Sequence, residues 1–252
     1  MISKDTISKD TLEKIPQKDG QNLAYQLRTG AKPAPTLVFL GGYRSDMAGT
    51  KATYLDEWAA AQGVGLLRFD YRGHGASDGD FRNHCVGDWL DDALLVIDGL
   101  VKGDIILIGS SMGGWIGLLV AKLRAERIKG FIGIAAAPDF TDWVWRHHMI
   151  AAERALCEMQ GYINTPDGDT LTYKIFEDGA QHLVLDKPLN LPFPVTLLQG
   201  KKDAEVPYQV AQKLASHITP NPAKLVLVDD GDHRLSRPQD LDLLGQTVLS
   251  FY

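Results

Sequence analysis

The fold is decided by the stretch Asp104-Ile105-Ile106-Leu107-Ile108-Gly109-Ser110-Ser111-Met112-Gly113. Its apolar run predicts a buried strand, and the mostly apolar residues 112–123 predict a buried helix directly after it. Between them, Gly109 to Gly113 match the pattern G-x-S-x-G. In a strand-turn-helix context this pattern places its serine on a sharp turn at the carboxyl edge of a sheet. Ser111 is therefore predicted to be a nucleophile.

Strands and helices alternate on both sides of this segment, which predicts an α/β fold. Further strands are predicted by short apolar runs at residues 36–40, 64–70, 128–135, 195–198 and 224–228. Continuous apolar strands that alternate with helices indicate a mostly parallel, doubly wound sheet with helices on both faces. Residues 13–29, turning at Asp19-Gly20, predict an antiparallel hairpin at one edge. A chain of this length is typical of one domain, so residues 1–252 are assigned to one.

Residues 138–191 interrupt this alternation and predict a small helical cap inserted within the domain. Long insertions between strands are usually functional. We expect this one to lie over Ser111 and to bind the apolar part of a substrate through Trp143, Trp145 and Met149.

An activated serine needs a histidine base and an acid that orients the base. His233 directly follows the last predicted strand, whereas His147, His148, His182 and His217 lie in positions that favour surface or packing roles. Asp203 follows the strand at 195–198 and is the predicted acid, with Glu205 as the alternative two residues later. The predicted triad is Ser111, Asp203 and His233.

Acyl transfer also needs donors for the developing oxyanion. The backbone N–H of Met112, the residue after the nucleophile, is one predicted donor. The N–H of Tyr43 is the other, because Gly41-Gly42 lets that loop approach a substrate.

These residues resemble the α/β-hydrolase superfamily over almost the whole chain. The loop Phe69-Asp70-Tyr71-Arg72-Gly73-His74-Gly75-Ala76-Ser77 is similar to a loop of that superfamily in which the histidine is structural. Gly42-Tyr43, Gly109 to Trp115 and Asp232-His233-Arg234 are similar to a family of mitochondrial serine hydrolases that act as palmitoyl-protein thioesterases and acyl-glucuronide esterases. The resemblance implies the same triad and ester or thioester substrates.

Composition argues against several other classes. The net charge is −6 without a basic stripe, so no nucleic acid partner is expected. The apolar runs are too short for stable membrane insertion, and the first residues lack the apolar region of a secretory signal, which predicts a cytoplasmic protein. Metal-ligand spacing and a glycine-rich nucleotide loop are absent from the sequence, so neither a metal nor a cofactor is expected.

The sequence therefore predicts a serine hydrolase that cleaves small-molecule esters, acyl thioesters or acylated proteins through an acyl-enzyme. A peptidase or a carbon–carbon bond hydrolase on the same scaffold remains an alternative. So does a binding protein that keeps the fold without catalysis.

Overall fold

An eight-stranded sheet forms the centre of the molecule. The computed structural model describes residues 12–165, 168 and 170–252. The strands of the sheet are β1 (Glu13–Pro16), β2 (Asn22–Arg28), β3 (Thr36–Leu40), β4 (Leu66–Phe69), β5 (Ile105–Ser110), β6 (Ile128–Ile134), β7 (Val195–Gly200) and β8 (Lys224–Val228).

The spatial order of the strands is β1-β2-β4-β3-β5-β6-β7-β8. Strand β2 runs antiparallel to β1 and β4, and the other neighbouring strands are parallel. The predicted mostly parallel sheet with an antiparallel hairpin at one edge is confirmed. Because the carboxyl ends of parallel strands meet at one edge, the loops after β3, β5, β7 and β8 converge there.

Helices cover both faces of the sheet. They are α1 (Thr50–Gln62), α2 (Val86–Leu100), α3 (Met112–Leu123), α4 (Phe140–Trp143), α5 (Ala151–Gln160), α6 (Tyr173–Gly179), α7 (Tyr208–His217) and α8 (Pro238–Leu249). One core contains Trp89 of α2 and Trp115 of α3, both without solvent exposure. The other contains Leu55 of α1 and Val248 of α8. These two cores make the sheet doubly wound, as predicted.

The segment 138–191, called the cap segment below, connects β6 to β7. It contains α4, a π-helical turn at Val144–His148, α5, a hairpin of Tyr162–Asn164 with Thr170–Thr172, and α6. Asp139 joins the two ends of the segment, because its carboxylate accepts hydrogen bonds from the N–H groups of Val184 (2.9 Å) and Leu185 (2.8 Å). Asp178 of α6 accepts a hydrogen bond from the Gly87 N–H of α2 at 2.8 Å, which fastens the segment to the sheet's helices.

Both cysteines are buried free thiols. Burial raises the pKa of Cys85 to about 12, so this thiol stays protonated at neutral pH. Within the described ranges, no helix has the length and apolar character needed to cross a bilayer. The residues on which the predicted lack of a secretory signal depends, 1–11, lie outside the described residues.

Candidate active site

Ser111 occupies a strained turn between β5 and α3. Its φ of 53° and ψ of −120° lie in a region that costs a non-glycine residue about 1–3 kcal/mol. The turn is fixed because the Ser111 N–H donates to the carbonyl of Ile134 at 2.9 Å. Gly113 is required here, since a Cβ at that position would collide with the carbonyl oxygens of Leu40 and Gly41. The surrounding chain therefore holds the serine at the carboxyl edge of the sheet.

His233 lies in the loop that follows β8. Its Nε2 is 3.0 Å from Ser111 Oγ, and its Nδ1 is 2.8 Å from Asp203 Oδ2. The loop is held by Lys51 of α1, whose Nζ donates to the Arg234 carbonyl at 2.5 Å. The structure thus brings the three predicted triad residues into one hydrogen-bonded chain.

Asp203 follows β7, and both of its carboxylate oxygens are occupied. Oδ1 accepts the backbone N–H groups of Glu205 (2.9 Å) and Val206 (2.8 Å), and Oδ2 accepts from Gln199 and His233. Burial by itself raises the pKa of Asp203, but the hydrogen bonds from His233, Val206 and Gln199 outweigh it and hold the pKa below its ordinary value. The carboxylate is therefore ionised at neutral pH.

Gln199 is a buried support for this carboxylate that the sequence analysis missed. Its Nε2 donates to Asp203 Oδ2 at 2.9 Å and to the Val206 carbonyl at 3.1 Å, which joins the strand end to the acid loop. Its side chain is fully buried. The signal in the sequence is a glutamine at the end of a mostly apolar strand, four residues before the acid.

Glu205, the alternative acid, occupies a different position. Its Oε2 is 3.4 Å from His233 Nε2, the nitrogen that contacts Ser111, and its side chain is 69% exposed. Asp203 is the carboxylate at Nδ1, where an orienting acid must lie. The geometry therefore supports Asp203 rather than Glu205 as the orienting acid.

The two predicted oxyanion donors lie beside the serine. Tyr43 and Met112 both line the cavity that contains Ser111 and His233. Met112 is the first residue of α3, and the first N–H groups of a helix have no partner within it. The preceding loop comes close, since a Cβ on Gly42 would lie 3.4 Å from Ser111 Cβ.

His74 supports this loop from the opposite side. Its Nε2 accepts the Arg44 N–H at 3.2 Å. Burial lowers the pKa of His74 to about 4, so the ring is neutral and can accept that bond at physiological pH. These contacts agree with the structural role implied for His74 by the resemblance.

A cavity of about 470 Å³ opens beside Ser111. Its apolar wall comes from the cap segment and from the region around α7: Phe140, Trp143, Val144, Leu185, Val206 and Val210. Its polar lining includes His147, Glu205, Gln209 and Lys213. Of the three predicted substrate contacts, Trp143 lines this cavity. His147, which the sequence placed at the surface or in packing, also reaches it.

Trp145 and Met149 do not line the cavity beside Ser111. Trp145 lines a separate cavity of about 500 Å³ and packs against Tyr173 and Phe176, with ring centroids 5.7 and 4.9 Å away. Met149 is only 8% exposed and belongs to the core. Trp143 and Trp145 lie two residues apart in consecutive helical turns, and their side chains line different cavities. Trp145 and Met149 were predicted to contact the substrate, but in the structure neither lines the cavity beside Ser111.

Comparisons with known proteins show the family and the fold of this chain. Residues 31–162 match the family described as serine aminopeptidase, S33, and residues 177–241 match a family described as TAP-like protein. The chain is 34% identical to mouse mitochondrial palmitoyl-protein thioesterase ABHD10, over 95% of this chain and 82% of that protein. A crystal structure of a putative hydrolase from Agrobacterium vitis S4 is 40% identical, with a TM-score of 0.90 over 96% of this chain and 98% of the other. Mouse alpha/beta hydrolase domain-containing protein 10 is 33% identical, with a TM-score of 0.89 over 95% and 97% of the two chains.

The comparisons also correct one expectation. The sequence analysis predicted a cytoplasmic protein, but the mammalian relatives from mouse, cattle and human are named as mitochondrial. The cytoplasmic prediction is therefore wrong.

Proposed function

Because this chain belongs to the α/β-hydrolase family described as serine aminopeptidase, S33, we propose that it cleaves fatty-acyl esters or thioesters through an acyl-enzyme on Ser111. The predicted α/β-hydrolase fold and the prediction of ester or thioester hydrolysis are confirmed by this membership and by the thioesterase relatives. The proposal adds the nucleophile, the roles of His233 and Asp203, and an apolar acyl group.

The single observation that carries the proposal is the chain of hydrogen bonds from Asp203 through His233 to Ser111. Its two links measure 2.8 and 3.0 Å, within the range that proton transfer requires. With Nδ1–H donated to Asp203, Nε2 carries the lone pair that faces the serine hydroxyl. This is the arrangement that activates a serine.

Acylation follows from this geometry. Ser111 Oγ attacks the substrate carbonyl carbon while His233 Nε2 takes the hydroxyl proton. The ionised Asp203 stabilises the resulting imidazolium and keeps the ring oriented. The N–H groups of Tyr43 and Met112 donate to the oxyanion, and a single such donor typically contributes a factor of about 10²–10³ in kcat.

Attack by Ser111 forms a tetrahedral intermediate. This intermediate collapses as His233 donates the proton it took from Ser111 to the departing oxygen or sulfur. The bond between the carbonyl carbon and that atom breaks and leaves an acyl ester on Ser111. His233 next removes a proton from water, which attacks the carbonyl carbon of this ester. His233 then returns that proton to Ser111 Oγ as the bond between carbon and Oγ breaks, which releases the carboxylic acid and restores Ser111.

The apolar wall of the cavity supports a fatty-acyl group. Trp143, Val144 and Leu185 come from the cap segment, and Val206 and Val210 from the region around α7. Each CH₂ buried there stabilises the bound substrate by up to about 0.8 kcal/mol. Acylated proteins fit the same proposal, because only the acyl chain and the scissile bond need to enter the cavity.

Peptide hydrolysis is a second candidate, favoured by the aminopeptidase description of the matched family. Such an enzyme would bind an amino-acyl group with a free ammonium. The apolar wall favours an alkyl chain instead. Leucine 4-nitroanilide and 4-nitrophenyl octanoate distinguish the two candidates, because they present an amino-acyl amide and an alkyl ester with chromogenic products.

The proposal is tested by turnover of 4-nitrophenyl octanoate and of an octanoyl thioester of N-acetylcysteamine. Ser111→Ala should lose roughly 10⁵–10⁶ in kcat on both substrates. Ser110→Ala is the matched control, since its side chain lies one residue away in β5, and it should keep at least about a tenth of the activity. Equal turnover by Ser111→Ala and the wild type would refute the proposal.

A further inference from the structure

Glu205 is a charged residue at the catalytic centre that the steps above do not use. Its N–H binds Asp203 Oδ1 at 2.9 Å, which fixes its backbone beside the acid. Its Oε2 lies 3.4 Å from His233 Nε2, while its side chain is 69% exposed. Among the described residues, Glu205 is the one carboxylate within ion-pair distance of this nitrogen. Its charge therefore lies at the mouth of the site.

The position of a leaving group follows from the same nitrogen. His233 Nε2 must protonate the departing atom, so that atom has to come within about 3.2 Å of Nε2. Because Glu205 Oε2 is 3.4 Å from Nε2, the departing atom must lie within about 6.6 Å of the Glu205 carboxylate. This limit holds for any substrate that the triad cleaves.

The other carboxylates that line the cavity, Asp139 and Asp142, have partners of their own. Asp139 accepts the N–H groups of Val184 and Leu185. Asp142 is paired with Arg146 at 2.7 Å. Lys213 lines the cavity from α7. His147 lines the cavity from the cap segment. Of the described carboxylates that line the cavity, Glu205 is therefore the one within ion-pair distance of His233 Nε2, the nitrogen that protonates the leaving group.

We propose that Glu205 selects substrates by the charge of the leaving group. It disfavours groups that are anionic close to the scissile bond, such as an aryl carboxylate. Neutral and cationic groups are accepted, including the thiol of a cysteine in a neutral or basic peptide. This inference rests on the proposed function. For unit charges about 6 Å apart near the surface, Coulomb attraction or repulsion changes kcat/KM by about 3- to 10-fold.

Three octanoyl esters test the proposal. Their leaving groups are 4-nitrophenol (neutral), 3-carboxy-4-nitrophenol (anionic) and 3-hydroxy-N,N,N-trimethylanilinium (cationic). For each protein variant, the kcat/KM of each ester is divided by the rate of alkaline hydrolysis of the same ester. The corrected value for the anionic leaving group is then divided by that for the neutral one, and this anionic-to-neutral ratio is compared between variants. Glu205→Gln should raise this ratio by about 3- to 10-fold, and Glu205→Lys by about 10- to 100-fold. The cationic-to-neutral ratio should fall by similar factors, and 0.5 M salt should reduce both effects.

Lys213→Met separates Glu205 from the overall charge of the cavity. It should lower the anionic-to-neutral ratio by a smaller factor than Glu205→Gln raises it. An equal change in Lys213→Met, or no change in an active Glu205→Gln, would overturn this inference alone. Failure of the proposed function is distinguishable, because turnover of the neutral ester would then survive in Ser111→Ala.

Discussion

Replacing Asp203 with asparagine removes the negative charge beside His233. It also places an NH₂ group, with two N–H donors, at a position surrounded by other hydrogen-bond donors. In the native site, Oδ1 accepts the N–H groups of Glu205 and Val206 at 2.9 and 2.8 Å. Oδ2 accepts from His233 Nδ1 and Gln199 Nε2 at 2.8 and 2.9 Å. All four contacts donate to the carboxylate, so an NH₂ group in either position meets two donors.

The two asparagine orientations differ in cost. With NH₂ towards the backbone, two buried N–H groups lose their acceptor, at about 1–3 kcal/mol each. With NH₂ towards His233, the ring must turn its Nδ1 lone pair to the new donor and carry its proton on Nε2. In this second orientation only the Gln199 amide loses its acceptor, so it is preferred, and Nε2 can no longer accept the proton of Ser111. The expected loss in kcat is roughly 10³–10⁴-fold, equivalent to about 4–5.5 kcal/mol in activation free energy.

The assay is steady-state hydrolysis of 4-nitrophenyl octanoate at pH 7.5, with circular dichroism to verify folding. Asp229→Asn is the matched control, because Asp229 is 85% exposed and pairs with Lys201, away from His233. It should stay near the wild-type rate. Glu205→Gln should remain at least about a hundredfold more active than Asp203→Asn. If a folded Asp203→Asn variant keeps more than a tenth of the wild-type kcat, the assignment of the acid is refuted.

Two further predictions concern the cavity and the support of its loop. First, kcat/KM for 4-nitrophenyl esters, measured below micelle formation, should increase from acetyl to medium-length acyl chains, because each buried CH₂ stabilises the bound substrate by up to about 0.8 kcal/mol. Trp143→Ala should flatten this increase. A maximum of kcat/KM at acetyl would refute a fatty-acyl cavity. Second, burial lowers the pKa of His74 from its ordinary value of 6.5 to about 4. Between pH 4 and pH 6.5, the unfolded state therefore binds more protons than the folded state. Stability should therefore be full above pH 6.5 and fall as the pH drops towards 4, with about 2 kcal/mol lost by pH 5. In urea unfolding, His74→Gln should remove most of this difference between pH 7 and pH 5, and an unchanged difference would contradict it.

The convergence of the three predicted triad residues could be predicted because the ends of strands can be read from the sequence. Ser111, Asp203 and His233 each follow an apolar run that forms a strand, and the carboxyl ends of these parallel strands share one edge. Their order along the chain left few arrangements open. The fold and the convergence of these residues followed from the same periodicity.

In the cap segment, the directions of the side chains could not be predicted in this way. Trp145 and Met149 were chosen for their apolar character, but the direction of a helical side chain depends on the phase of the helix, which a short irregular segment does not reveal. The contact between Glu205 and His233 was equally hidden, because it depends on the conformation of an exposed side chain. Gln199 did leave a signal, because most polar side chains in a buried strand have a hydrogen-bond partner, here Asp203.

The central claim is that Ser111 is the nucleophile, and covalent labelling tests it most directly. The protein is treated with a fluorophosphonate, digested, and analysed by tandem mass spectrometry to locate the phosphonylated residue. The account predicts one adduct, on Ser111, whose formation is lost in Ser111→Ala and strongly slowed in His233→Ala. An adduct on another residue, or labelling of Ser111→Ala at the wild-type rate, would contradict it.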